Sequence, residues 1–547
     1  MLSPKKPILS RSAFFIAAGP LALLAVVLPL AIFFASHHGI ATVGDDSVSY
    51  LVLARHFAGS DGPLVAQWLS FHAHLPPLFP MALALAGGAD DFRRAHQVVA
   101  VFAALSLVPV CIYAARQLGS NRAGVLVALL FLLTPTAWVS IKGILSESMY
   151  LFVSMCAIAY HEARLSGGRP RAAQWLLFGI LLACAWLTRA VGLMLILAYV
   201  THVAVGIARG KAERDLRQLF ALLAVALLVG AWYLYRPAAV VYERTLVAVA
   251  RAWLADPAQV LHASASFLYN GWLASFGAES DVPPVAKLAF SALGLLGLAG
   301  TFRRVLANRL DGWYVAFSLG IIFFWVFPEE NMRRLLYPLL PLLLVHAGES
   351  VLALCRLCRL DRYEGRVLLA AWALPALLCL PAALTVLEKS RDPGPGLPGL
   401  AYSYAGMTDY YTTINTDLGR ALAAKDIAVL AGLESLEEVT PRGSKIMWMR
   451  PEYVALLGAR EGVPWYFRWD ERTLARELGK TKTDYLVQST IFKTDLEGAK
   501  GDPFVSLTGI EAYASPTLSI RSAATGKTEF VLWKIDAARL EAFLEGS

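Results

Sequence analysis

Long apolar runs joined by short basic connections fill the first 387 residues, and a more polar pattern of shorter period follows them. The apolar runs lie at about 13–36, 93–117, 121–140, 144–165, 173–188, 189–208, 216–235, 284–302, 311–327, 332–353 and 366–387. Each is long enough as a helix, or nearly so, to cross a hydrocarbon layer of roughly 30 Å. The pattern therefore predicts an α-helical polytopic membrane domain, residues 1–387, with about 11 transmembrane helices. The first run is too long for a signal peptide and has no small-residue cleavage site, so it is expected to stay as an anchor.

Charge gives the expected orientation. Lys5, Lys6 and Arg11 precede the first run, and every second connection after it is basic: Arg116 and Arg122; Arg164, Arg169 and Arg171; Arg209, Lys211, Arg214 and Arg217; Arg303, Arg304 and Arg309; Arg356, Arg359, Arg362 and Arg366. By the positive-inside rule these connections and the N-terminus are cytoplasmic, and an odd number of spans puts the C-terminal region outside. The pattern requires 173–208 to be two spans, divided near Ala190 and Gly192, because one span would carry the later basic connections outside. The outer side then collects two long loops, 37–92 and 236–283, with Asp45, Asp46, Glu147 and the turn Pro328-Glu329-Glu330-Asn331.

Composition agrees with a membrane chain. Of 547 residues, 57% are hydrophobic, and the mean hydropathy is +0.54, which excludes an ordinary soluble enzyme. The net charge of +8 comes from small basic clusters between apolar runs, so it points to helix orientation and to no nucleic acid. Six cysteines lie in or beside the spans, and the Cys355–Cys358 pair has no second pair to complete a zinc site, so no disulfide framework is expected. After Glu388, Arg391-Asp392-Pro393-Gly394-Pro395-Gly396-Leu397-Pro398-Gly399 reads as a linker. Helix-like 415–431, strand 445–449, helix 451–458, helix 470–479 and strands 484–488 and 529–535 then predict a soluble α/β domain over 388–547.

The candidate chemistry sits at the outer ends of the spans. Asp45-Asp46 follows the first span. Two carboxylates at a membrane boundary suit a general base, and equally either could cap the helix that Ser47 opens. His72-Ala73-His74-Leu75-Pro76-Pro77-Leu78-Phe79-Pro80 forms a proline elbow with two histidines beside those acids. Solvated interface histidines and a divalent-cation site at Asp45, Asp46 and His74 are both open readings. Glu147 begins a span, either as part of a capping box or as a site carboxylate. Arg189 ends a span, where it can snorkel to lipid phosphate or face a substrate. In 236–283, Tyr242, Arg244, Arg251, Trp253, Tyr269, Asn270, Trp272, Glu279 and Asp281 could cradle a sugar or form an interfacial belt. Arg333 and Arg334 start an apolar helix on the outer side against the charge trend. They fit an anionic phosphate, and they could also pair with Glu329 or Glu330.

The order of a first span, an Asp-Asp turn with Tyr50 shortly after it, and an HxHxPPLFP elbow resembles the GT-C superfamily of membrane glycosyltransferases. It is most similar to the bacterial branch of lipid A aminoarabinose transferases and protein O-mannosyltransferase-like enzymes. That branch usually reads Asp-Glu and Lys-Pro-Pro-Leu-Tyr at these places. This chain has Asp45-Asp46 and Leu75-Pro76-Pro77-Leu78-Phe79, so the elbow lysine is missing and His72 and His74 are the candidate substitutes at the donor phosphate. Arg333-Arg334-Leu335-Leu336-Tyr337-Pro338 resembles the superfamily's Arg-Tyr-Leu-x-Pro segment, and the outer soluble domain is a further likeness. The resemblance implies an inverting transferase of the bacterial inner membrane. It would move a sugar from a polyprenyl-phosphate donor to an acceptor lipid, glycan or protein on the periplasmic side, among membrane lipids. It also implies Asp45, Asp46 and Glu147 as catalytic residues, Arg333, Arg334, Arg189, His72 and His74 toward the donor phosphate, and Tyr50 and Tyr337 as acceptor-positioning residues. No cofactor is required by this reading, with a divalent cation as the one candidate. The competing class is a transporter or lipid flippase, in which matched broken helices and mid-membrane charges would be expected.

Overall fold

The structure is a computed structural model describing residues 12–37, 45–59, 75–166, 170–210, 216–235, 241–278, 283–325, 329–391, 428–465, 469–489, 509–522 and 526–546. The chain forms two compact units. One comprises Met1–His37, Ala73–Ala82 and His96–Ser390; the other comprises His38–His72, Leu83–Ala95 and Arg391–Ser547.

The first unit is a helical bundle, and each apolar run of the sequence contains a helix among its described residues. Among the described residues, six helices are long and apolar enough to cross a membrane: Phe92–Leu118, Ala190–Ala208, Leu216–Tyr235, Pro284–Leu306, Met332–Leu357 and Glu364–Thr385. Gly19–Ala35, Ala172–Thr188 and Leu310–Trp325 are shorter apolar helices. The run expected as one span at 121–140 is instead two helices, Asn121–Leu133 and Pro135–Lys142, bent by 67°. The cause is local: Pro135 has no N–H to give to the helix before it, and the Thr134 hydroxyl donates to the Phe131 carbonyl at 2.6 Å. The break expected near Ala190 is sharp. Arg189 is extended (φ −148°, ψ 140°) between the helix Ala172–Thr188 and a short 3-10 turn, Ala190–Gly192. A Cβ on Gly192 would overlap the backbone of Ala185, so the turn closes only over a glycine.

Within 236–283, expected as a loop, the described residues are mostly helical. Val241–Ala255 and Pro257–Ser275 are helices, separated at Asp256, whose carboxylate caps the second by accepting the Gln259 N–H at 3.0 Å. Its aromatic residues are used in packing. Trp253 donates to the Phe324 carbonyl at 2.7 Å and stacks on that ring. Trp272 donates to the Phe290 carbonyl at 2.8 Å, and the Tyr269 hydroxyl meets Ser291 at 3.0 Å. These contacts favour the belt reading over a sugar cradle for those three side chains. Glu279 and Asp281, and the side chains of Tyr242 and Arg244, lie outside the described residues.

The second unit holds a five-stranded mixed sheet in the order β2-β1-β3-β5-β4, with β1 Lys445–Trp448, β2 Glu461–Pro464, β3 Tyr485–Ser489, β4 Ala514–Arg521 and β5 Thr528–Ile535. β1 runs parallel to β2 and β3, and β5 runs antiparallel to β3 and β4. Met447, Leu486 and Trp533 pack with Leu474, Leu478, Tyr513 and Leu540 in its core. Asp470 caps the helix Glu471–Thr481, and hydrogen bonds from the hydroxyl and N–H of Thr473 hold its carboxyl below the usual carboxylate range. The helix Asp45–Phe57 also belongs to this unit. There Arg55 donates to Asp90 at 2.7 Å and to the Leu456 carbonyl at 3.0 Å. Of the C-terminal elements expected from sequence, 415–427 lies outside the described residues.

Candidate active site

A cluster of three charges, a buried carboxylate between two half-buried arginines, forms where three separate breaks in the first unit meet. Glu147 is the first residue of the helix Glu147–Tyr160 and is only 1% exposed. Ser146 stands at the N-cap position, yet its backbone is already helical and its side chain makes no capping bond. The capping-box reading of this start therefore fails. Instead the Ser146 hydroxyl accepts from Nη1 of Arg189 at 3.3 Å.

Arg189 reaches Glu147 because its own helix ends there in extended backbone, and Nη1 lies 2.6 Å from Oε1 of Glu147. The same oxygen accepts from Nε of Arg334. Arg334 is on the short helix Glu329–Leu336, which buries Met332 and Leu336, one turn apart, and leaves Arg333 and Arg334 half-buried. Two guanidiniums on one carboxylate oxygen satisfy a buried charge that would otherwise be costly.

One turn past Glu147, the Tyr150 hydroxyl pairs with that of Tyr314 at 2.8 Å, both fully buried. Sequence reasoning missed both tyrosines, since nothing local distinguishes them from core aromatics. Tyr337 is buried with its ring tilted against Phe131, centroids 5.5 Å apart. The structure thus brings Glu147, Arg189 and Arg334 together, with Arg333 and Tyr337 on the adjoining turns. Asp45, Asp46 and Tyr50 are carried by the other unit, at the start of its helix Asp45–Phe57, where Tyr50 is buried and Asp46 half-buried. His72 and His74, and the side chain of Asp45, lie outside the described residues. Among the described residues no three His, Cys, Asp or Glu side chains are grouped to hold a metal ion.

The helix bearing Arg334 is seated by a glycine. A Cβ on Gly271 would overlap the Cβ of Met332, so the helices Pro257–Ser275 and Glu329–Leu336 touch at this point almost backbone to backbone. Gly271→Ala should cost about 1–3 kcal/mol by overpacking and lower turnover more than stability alone explains, since Met332 is two residues from Arg334. Melting in detergent alongside turnover of the folded fraction measures both effects.

A second polar centre lies at the other end of the helix that Glu147 opens. There the helix widens into a π turn, His161–Leu165, with His161 and Glu162 buried. Asp311, fully buried, accepts through Oδ2 from the Tyr113 hydroxyl and from Nη1 of Arg304, and meets Nε2 of His346 at 2.9 Å. Arg304 also forks onto Glu349 at 2.8 and 2.6 Å and donates to Gln117 at 2.8 Å, and Gln117 donates to Glu162 at 3.2 Å. Arg304 reads in the sequence as a cytoplasmic orientation signal, but its side chain is buried and holds this network.

Comparison with solved structures places the architecture. The apo form of an oligosaccharyltransferase from Archaeoglobus fulgidus superposes with a TM-score of 0.54 at 13% identity, covering 95% of this chain and 75% of that one. ArnT from Cupriavidus metallidurans gives a TM-score of 0.49 at 14% identity in its apo state, covering 96% of this chain and 99% of that one. Its crystal structure bound to undecaprenyl phosphate gives 0.47 at 14% identity, covering 94% and 98%. No protein-family model and no curated protein matches the chain. With its helical bundle and small C-terminal sheet, this multi-pass membrane protein has the fold of that oligosaccharyltransferase, the GT-C fold.

Proposed function

We propose that the chain is an inverting glycosyltransferase that moves a sugar from a polyprenyl-phosphate donor to an acceptor lipid, glycan or protein. The observation carrying this reading is the pair of arginines held on buried Glu147, a preformed cradle for a lipid-linked phosphate. Asp45 takes the proton of the acceptor hydroxyl, and the oxygen attacks the anomeric carbon from the face opposite the phosphate. The bond from that carbon to the phosphate oxygen breaks, its electron pair stays on the phosphate, and the single displacement inverts the centre. Arg189 and Arg334, with Arg333 beside them, take up the growing negative charge, and Glu147 orders the two guanidiniums it binds. Asp46, Tyr50 and Tyr337 orient the acceptor, and His72 and His74 are the candidate substitutes for the missing elbow lysine at the donor phosphate. If a divalent cation takes part, Asp45, Asp46 and His74 are its candidate ligands. The basic connections support an inner-membrane chain with a cytoplasmic N-terminus and a periplasmic C-terminal domain.

The test is purified protein in lipid nanodiscs with a panel of radiolabelled polyprenyl-phosphate sugars and a membrane extract. Label should pass to an acceptor fraction with one polyprenyl phosphate released per sugar transferred. No release with any donor, together with passage of intact donor across liposomes containing the protein, would overturn the reading in favour of a flippase.

A further inference from the structure

A cradle meant to hold a negative group would bind it more strongly without a carboxylate in it, yet Glu147 is buried at its centre. Oε1 is shared by Nη1 of Arg189 and Nε of Arg334, drawn from two elements distant in sequence, and Ser146 supports Arg189 from the side. Ordering the guanidiniums does not require a charge, since a glutamine oxygen would accept the same two bonds. What only the carboxylate supplies is one unit of negative charge beside the anion.

In the proposed reaction the two anions that visit the cradle differ in charge. The donor is a phosphodiester with a single negative charge. The polyprenyl phosphate left behind is a monoester, whose second ionisation near pH ~6 brings it to about −1.5 to −2 at neutral pH. Two bare guanidiniums would hold the more highly charged product more tightly and slow its departure. An extra unit of charge on the anion at roughly 6 Å from Glu147, at an effective dielectric of about 20, is disfavoured by on the order of 100-fold.

We propose that Glu147 is a specificity-determining residue that tunes the arginine pair to accept the phosphodiester donor and to release the phosphomonoester product. The inference rests on the transferase reading above. Arg189 and Arg334 supply the attraction, and Glu147 sets how it is divided between the two anions.

The experiment compares polyprenyl phosphate with its methyl ester, a singly charged diester of nearly the same shape, as inhibitors of transfer. Wild-type protein should bind the methyl ester at least as tightly as the monoester. Glu147→Gln, which keeps the oxygen and removes the charge, should reverse that order by about 10- to 100-fold and show a burst of transfer followed by slow product release. Its KM for donor should change far less than its inhibition constant for the monoester, a split that a merely structural role would not give. Tighter monoester binding by wild type, a measurement needing no variant, overturns the inference, as does an unchanged ratio in Glu147→Gln. Wild-type protein that transfers no sugar overturns the transferase reading instead.

Discussion

Asp45→Asn is expected to lower sugar transfer by about 10²–10⁴-fold, the usual loss when a positioned base is removed, while the protein still inserts and melts as wild type does. The substitution separates the two readings of the acidic turn. Asparagine caps a helix about as well as aspartate, so a residue that only received the free amides of the helix Asp45–Phe57 would be replaced at almost no cost. A residue that removes the acceptor proton would not, because an amide cannot take it. Asp45→Ala should lose both roles, adding about 1 kcal/mol of destabilisation to the same loss of rate. Transfer assays on purified protein, paired with thermal melts, check each part. Near-normal turnover by a folded Asp45→Asn protein removes Asp45 from the mechanism and leaves it a cap.

Much of the bundle was legible because a membrane span is a local signal. A window of some twenty residues decides it, so each apolar run from 13–36 to 366–387 contains a helix among its described residues. The 67° bend at Thr134 and Pro135 was written in the sequence too, but hydropathy averages over a proline whose effect is on the backbone. In the second unit, β1, β3 and β5 were readable from their apolar runs. β2 and β4 were not: Glu461–Pro464 is four residues with a glycine and a proline, and Ala514–Arg521 carries Pro516 and is mostly exposed. Both are edge strands, which keep little of the alternation that marks a strand in sequence.

The candidate site shows the same divide. Glu147, Arg189 and Arg334 each stood out as a charge at the end of an apolar helix, but Glu147 and Arg334 are 187 residues apart. Nothing local said that they share a bond. The second centre was less legible still. Arg304 fell into a basic connection and was read with its neighbours, and its partners lie 187 residues before it at Gln117 and 45 after it at Glu349. Asp311 and His346 were the available signal, since ionisable groups inside apolar runs are seldom without a role.

That centre carries the largest stability effect expected in the chain. Arg304→Met should destabilise the protein by about 3–5 kcal/mol, because it leaves the carboxylate of Asp311 buried without its cation. The network has no slack to absorb the loss. Glycines bring its helices so close that a Cβ on Gly300 would overlap the His346 carbonyl, and one on Gly312 would crowd Arg304 itself. Asp311→Asn on its own should cost less, and Arg304→Met combined with Asp311→Asn should cost less than the sum, with a coupling of about 0.5–3 kcal/mol. A double-mutant cycle read by denaturation in detergent gives that coupling directly. Turnover should separate this centre from the arginine cradle. Glu147 and Glu162 lie at opposite ends of one helical stretch, roughly 22 Å apart along its axis, so the folded fraction of Arg304→Met should keep its rate within about tenfold. A variant that melts like wild type, or effects that simply add, would show that Arg304 and Asp311 do not act as a buried pair.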